Sequence, residues 1–145
     1  MSTHILIVDD DPGIRQVLTR FLGARGYEVE TAADGGEALE AIRRRQPDVL
    51  LLDIYLPTMS GIDVLYELQR EGRVIPTITF SGMPDDQMAR ESSLLGAEGF
   101  IYKPFKLEHL ESKLQAKLTA LGFGPAAAQG REAGESEGSP GDEQE

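Results

Sequence analysis

Four places in the sequence set a reactive side chain directly after an apolar run. Ile5-Leu6-Ile7-Val8 runs into Asp9, Asp10 and Asp11, and Val49-Leu50-Leu51-Leu52 runs into Asp53. The run from Ile75 to Phe80 ends at Ser81, and Gly99-Phe100-Ile101-Tyr102 ends at Lys103, followed by Pro104. Clustered carboxylates repel one another, which raises their pKa values and destabilises a fold unless a cation is present. Hard oxygens on short side chains suit Mg²⁺, which keeps several waters and takes only one or two protein carboxylates. A divalent ion would neutralise the cluster and present open positions to a phosphoryl group. One carboxylate could then act as nucleophile. Lys103 supplies a point charge and Ser81 a hydroxyl, each suited to a different phosphoryl oxygen. The set reads as a phosphoryl-acceptor site. Singly, each member has an ordinary explanation: Asp11 as a helix cap, Asp9 or Asp10 as a loop residue, Ser81 as a turn residue, Lys103 as a solvated lysine. The recurrence at the ends of four runs carries the reading.

The runs themselves say what must position these groups. Two of them, Ile5–Val8 and Val49–Leu52, are continuously apolar, as strands buried on both faces of a parallel sheet are. A weaker run, Tyr27 to Glu30, lies between them; ending near Thr31 with little chemistry, it is expected at an edge of the sheet. Helical patterns separate the strands. Ile14, Val17, Leu18, Phe21 and Leu22 form one apolar stripe, and Leu107, Leu110, Leu114, Leu118 and Leu121 another. Asp11 then Pro12 reads as an N-cap followed by a proline suited to the first turn. Asp34 with Glu37, and Ser60 with Asp63, fit a capping box. A helix from about Asp85 to Leu95 is the weakest, because Ser92 and Ser93 interrupt its apolar face. Five strand–helix units in a row predict a doubly wound α/β sandwich, (βα)5. In such sheets ligands sit beyond the C-terminal strand ends, where the reactive residues fall.

Composition bounds the rest. The chain has 145 residues and no cysteine, which excludes disulfides, thiolate zinc and a cysteine nucleophile. A net charge of −11 argues against direct nucleic-acid binding. No apolar run approaches the ~20 residues that span a bilayer, and Met1 to His4 lacks a basic n-region. The expectation is a cytoplasmic protein with no membrane insertion. Residues 122–145 hold six of the sixteen glycines and no Ile, Leu, Val or Met; six acids against Arg131 give this stretch −5, leaving −6 for residues 1–121. It is expected to be a disordered acidic Gly/Glu-rich tail, with a single folded domain over 1–121.

These residues together resemble the receiver domain of two-component response regulators. The matching segments are Ile5 to Asp11, Val49 to Pro57 continuing to Gly61, Thr79 to Gly82, and Phe100 to Phe105. The resemblance implies a flavodoxin-like fold of the chemotaxis-regulator type, with strand order 2-1-3-4-5. It implies that Asp53 is the phospho-acceptor, attacking the phosphohistidine of a sensor histidine kinase or phosphotransfer protein. It implies that Asp9, Asp10, Asp53 and the backbone carbonyl of Tyr55 hold Mg²⁺, that Lys103 contacts the phosphoryl group, and that Lys103–Pro104 is cis. Ser81 and Phe100 are then the switch pair, Ser81 moving to the phosphoryl oxygen and Phe100 swinging inward. The readout face for a downstream protein is the fourth helix, fifth strand and fifth helix. Such a domain is a signalling switch and not an enzyme, catalysing only its own phosphoryl transfer and dephosphorylation.

Several positions depart from the family pattern. Ser81 stands where Thr is commoner and Phe100 where Tyr is. Lys106 occupies a position usually held by Asp, and as an N-cap it opposes the helix dipole. Tyr55 and Met83 are bulky at the two positions expected to tune dephosphorylation. His4 is expected at a strand edge and His109 at the surface. The main expectation is a stand-alone receiver, with no second domain after residue 121. The alternatives are the excised receiver of a longer regulator, with the acidic stretch as a linker, a phosphorylation-independent scaffold, and a haloacid-dehalogenase-type phosphatase. The last would use Asp9, Asp11, a later Ser and Lys, but needs a further acid pair beyond Lys103 and leaves Asp53 without a role.

Overall fold

A computed structural model describes residues 3–82 and 86–122. Its elements alternate: β1 (His4–Val8), α1 (Pro12–Gly23), β2 (Glu28–Ala32), α2 (Gly35–Arg44), β3 (Val49–Asp53), α3 (Gly61–Arg70), β4 (Thr77–Ser81), α4 (Asp86–Leu94), β5 (Ala97–Tyr102) and α5 (Leu107–Ala120). The five strands form one parallel sheet in the order β2-β1-β3-β4-β5, the order expected. The expectations for Met83 and for the acidic tail from residue 123 onward lie outside the described residues.

Strand alternation sorts the core into two layers. Ile5, Ile7, Val49, Leu51, Ile78 and Phe80 face α1 and α5, meeting Leu18, Leu22, Leu110, Leu114 and Leu118. Leu6, Val8, Leu50 and Leu52 face the other way, onto Ala38, Leu39 and Ile42 of α2 and Val64, Leu65 and Leu68 of α3. Central strands covered on both sides are close to continuously apolar, which is why β1 and β3 read as unbroken runs; β4, also interior, buries Thr77 and Thr79 with their hydroxyls hydrogen-bonded. The weaker β2 is an edge strand, in keeping with its sequence.

Helix starts follow local chemistry. Asp11 accepts a hydrogen bond from the Gly13 N–H at 2.8 Å, with Pro12 in the first turn. Ser60 and Asp63 close a reciprocal capping box at 3.1 Å in each direction, and Asp34 accepts from Glu37 N–H at 2.8 Å. Lys106 heads α5 without any side-chain cap.

Some boundaries differ from the sequence pattern. β2 starts at Glu28 and reaches Ala32, because Tyr27 turns into the α1–α5 layer. β4 begins at Thr77 rather than Ile75, since Pro76 has no N–H for the ladder. β5 begins two residues early, at Ala97, and accommodates Glu98 by a register shift between its pairings to Thr77 and Ile78. His4 is not at an edge: β1 is an interior strand, and the ring is buried with Nε2 3.3 Å from Glu30. His109 is exposed, as expected.

Candidate functional site

Parallel register brings the reactive residues to one rim. Val8 is level with Leu52, and Asp53 with Phe80, so Asp9, Asp53 and Ser81 emerge together at the C-terminal ends of β1, β3 and β4. Lys103 follows β5, and its N–H donates to the Ser81 carbonyl at 2.7 Å. The Lys103–Pro104 peptide is cis.

Lys103 ties the cluster together. Its Nζ donates to Asp9 Oδ2 at 2.7 Å and to Asp53 Oδ2 at 2.9 Å. Asp9 is fully buried, and its Oδ1 accepts from the Asp11 N–H at 2.9 Å. Asp53 is only 3 % exposed, and its Oδ1 accepts from the Tyr55 N–H at 3.1 Å. Asp10 stands beside them in solvent, and Asp9, Asp10 and Asp53 each offer a carboxylate oxygen within 4.8 Å of the others. Short side chains with hard oxygens at this spacing can hold a divalent cation.

The electrostatics are those of a partly neutralised acid site. Burial pushes the Asp53 carboxyl up to about 6, and repulsion from Asp9 adds to it; the bonds from Lys103 and Tyr55 N–H work against both. Like-charge repulsion, the cause expected from the clustering of acids in the sequence, is thus real but smaller than burial. Burial also disfavours the Lys103 charge, yet its hydrogen bonds to Asp9 and Asp53 outweigh that and hold it above the ordinary lysine value.

The β3–α3 loop is shaped to aim Asp53. Gly61 N–H donates to the Ile54 carbonyl at 2.7 Å. A Cβ at Gly61 would collide with the Asp53 carbonyl oxygen, so no larger residue fits there. Thr58 takes a positive φ of 62° in the same loop. The Tyr55 side chain, 43 % exposed, stands at its start. Ser81 is fully buried at the rim. Phe100 is half-buried, packed against the α2–α3 layer and edge-on to Tyr102 with ring centres 5.0 Å apart.

Two features lie beyond the sequence pattern. Arg15 Nη1 donates to the Asp9 carbonyl at 2.7 Å. The available signal is an arginine in the first turns of a helix, where the dipole disfavours a cation unless something compensates. Thr79 and Ser92 also pair their buried hydroxyls, 3.4 Å apart, beneath α4. From the sequence, Ser92 only interrupts an apolar face.

Comparison with known proteins decides the family. The profile of the response regulator receiver domain matches residues 5–115. The chain belongs to the response regulator receiver family. Among relatives, it is 40% identical over 119 residues to the response regulator MprA of Mycobacterium ulcerans, covering 81% of this chain and 51% of the relative. It thus spans about half the length of the curated relatives it matches. Among solved structures, the chemotaxis protein CheY4 of Vibrio cholerae superposes with a TM-score of 0.77 at 33% identity, over 81% of this chain and 100% of that one. A CheY-like receiver domain protein from Methanospirillum hungatei gives 0.79 at 32% identity, over 90% and 100%. As a receiver domain of two-component systems, the chain carries an acid cluster able to hold a metal ion at the rim where that family's fold opens. No helix among the described residues is long and apolar enough to cross a membrane.

Proposed function

We propose that this receiver is a phosphorylation-operated switch with Asp53 as acceptor. The observation that supports it best is the lysine bridge: one ammonium joins two buried carboxylates, of which Asp53 alone ends the central strand β3. An Asp53 oxygen attacks phosphorus, the phosphorus–nitrogen bond of a donor phosphohistidine breaks, and the imidazole leaves with its electron pair. Asp9, Asp10, Asp53 and the Tyr55 carbonyl would hold Mg²⁺, which when bound offsets negative charge on the transferring phosphoryl oxygens. Lys103 is already within reach of the acceptor oxygen and turns its ammonium to the phosphoryl group as that forms. Ser81, on the neighbouring strand end, supplies a hydroxyl to another phosphoryl oxygen, and Phe100 follows it inward. This is a two-state element biased by a local change of charge. The α4–β5–α5 face is where a downstream protein reads the state.

The donor is a sensor histidine kinase or phosphotransfer protein of the cytoplasm. An apolar groove of about 740 Å³ runs beside the site between α1 and the β5–α5 connection, lined by Ile14, Val17, Pro104, Phe105 and Leu107. It gives a helical donor somewhere to seat while its histidine reaches Asp53. Tyr55, with Met83, offers no carboxylate or carboxamide to orient a hydrolytic water, so the phosphorylated state decays slowly without a partner.

Acetyl phosphate with Mg²⁺ should add one phosphoryl group, read by intact-mass spectrometry. Asp53→Asn should take none. Persistent labelling of that variant would move the acceptor elsewhere.

A further inference from the structure

Among the described residues, Asp10 is the member of the acid cluster whose side chain nothing holds. It is exposed, and among the described residues its carboxylate makes no hydrogen bond or ion pair. Where it points therefore depends on the two peptides that flank it. The Asp10–Asp11 peptide is anchored because its N–H donates to Asp9 Oδ1 at 2.9 Å. The Asp9–Asp10 peptide is anchored through its carbonyl, which accepts from Arg15 Nη1 at 2.7 Å. Arg15 is itself fixed at its backbone, its N–H donating to the Asp11 carbonyl at 3.1 Å. One residue of α1 thus grips the chain on both sides of Asp10. Asp9 in turn has every polar group engaged: its N–H by Ala32, its carbonyl by Arg15, and its carboxylate by Asp11 and Lys103.

We propose that Arg15 is a positioning residue for the divalent cation: it locks the Asp9–Asp10 peptide so that the exposed Asp10 carboxylate is presented beside Asp9 and Asp53. This rests on the metal-site reading above. The charge of Arg15 works in the opposite sense, since a guanidinium close to the cluster repels a cation. The two effects give opposite signs on removal, so the sign of the change decides. Groups that orient metal ligands from behind typically set affinity by about 10- to 100-fold. Screening by solvent keeps the repulsive effect of one partly exposed charge smaller.

The experiment is Mg²⁺ titration by calorimetry of wild type, Arg15→Met, Arg15→Gln and Arg15→Lys, with metal-free thermal melts alongside. Arg15→Met and Arg15→Gln both remove the charge and the reach to the Asp9 carbonyl; Arg15→Lys keeps the charge. The expected result is a Kd about tenfold or more weaker for Met and Gln, and an intermediate value for Lys. Arg15→Met or Arg15→Gln binding Mg²⁺ as tightly as wild type, or more tightly, would overturn the role; if one of them fails to fold, the other decides. Wild type that binds no Mg²⁺ would overturn the metal-site reading, and the Arg15 role with it.

Discussion

The proposed acceptor carboxylate, Asp53, and Lys103 sit in opposition to their surroundings. Burial raises Asp53 to about 6 against an ordinary value of 3.8, while the Lys103 ammonium keeps it from rising further. An acid raised on folding binds more protons folded than unfolded between those two values. This group therefore contributes a loss of metal-free stability as pH climbs from about 4 through about 6, and none of the loss is recovered above. The same titration would govern the proposed chemistry, because only an ionised carboxylate attacks phosphorus. Removing Lys103 should drive both effects further. In Lys103→Met, two buried carboxylates lose their shared donor, at a cost of about 3 kcal/mol, the scale for breaking a buried pair. The pH at which Asp53 becomes competent should move up from near 6, because both the hydrogen bond and the charge of Lys103 lower its value. Acetyl phosphate labelling followed across pH 5 to 9, with urea melts at pH 7.5, tests this. A labelling profile superposable on wild type would show that Lys103 does not keep Asp53 ionised.

Among the elements, the two helices of the proposed readout face each depart from the usual way a helix is held. α5 begins at Lys106, whose backbone is in the capping conformation but whose side chain caps nothing. Lys106→Asp should satisfy a free N–H and complement the dipole, adding about 1 kcal/mol, or roughly 4 °C in a thermal melt for a domain this size. A melt unchanged or lowered would mean that the cation at that position has a partner role outweighing the cap. α4 has Ser92 as its fully buried residue, bonded to the Ala89 carbonyl at 3.0 Å and facing Thr79. A helix held by hydroxyls rather than by a methyl-rich face opens at lower cost, which suits the proposed role of α4 in the readout face. These features mark how far the sequence can be read. Asp11, Asp34 and Ser60 are legible as caps because a cap is decided within four residues. β1, β3, Asp9 and Asp53 are legible because strands buried on both faces leave unbroken apolar runs, and parallel register aligns the residues at their ends; Lys103 is legible because it follows the apolar end of β5, Phe100 to Tyr102, and precedes a proline. The hydroxyl pair of Thr79 and Ser92, and the grip of Arg15 on Asp9, depend on which faces meet in three dimensions. The β5 start is not legible, because Glu98 is taken up by a register shift that no local pattern announces.

For the whole molecule, the site is a joint. Asp9 follows β1, Asp53 ends β3 and Lys103 follows β5, so one cluster links the middle of the sheet to its far edge. A ligand held there needs these strands together, so it binds the folded state alone and its binding is read as stability of the entire domain. At a hundred times its Kd, a ligand specific to the folded state adds about 2.7 kcal/mol, on the order of 10 °C here. Protons compete for the same oxygens. At pH 5 Asp53, at about 6, is mostly protonated, and a cation must displace that proton to bind. At pH 7.5 the carboxylate is ionised, and the metal-free fold bears the full cost of burying it. The Mg²⁺-induced rise in Tm should therefore be small at pH 5 and grow to its full size by pH 7.5. The metal-free Tm supplies the reference at each pH, and Asp53→Asn should flatten the pH dependence of the difference by removing the group that titrates. Differential scanning calorimetry of both proteins, with and without Mg²⁺ at the two pH values, makes the comparison. A rise of equal size at pH 5 and 7.5 in wild type would place the cation away from Asp53.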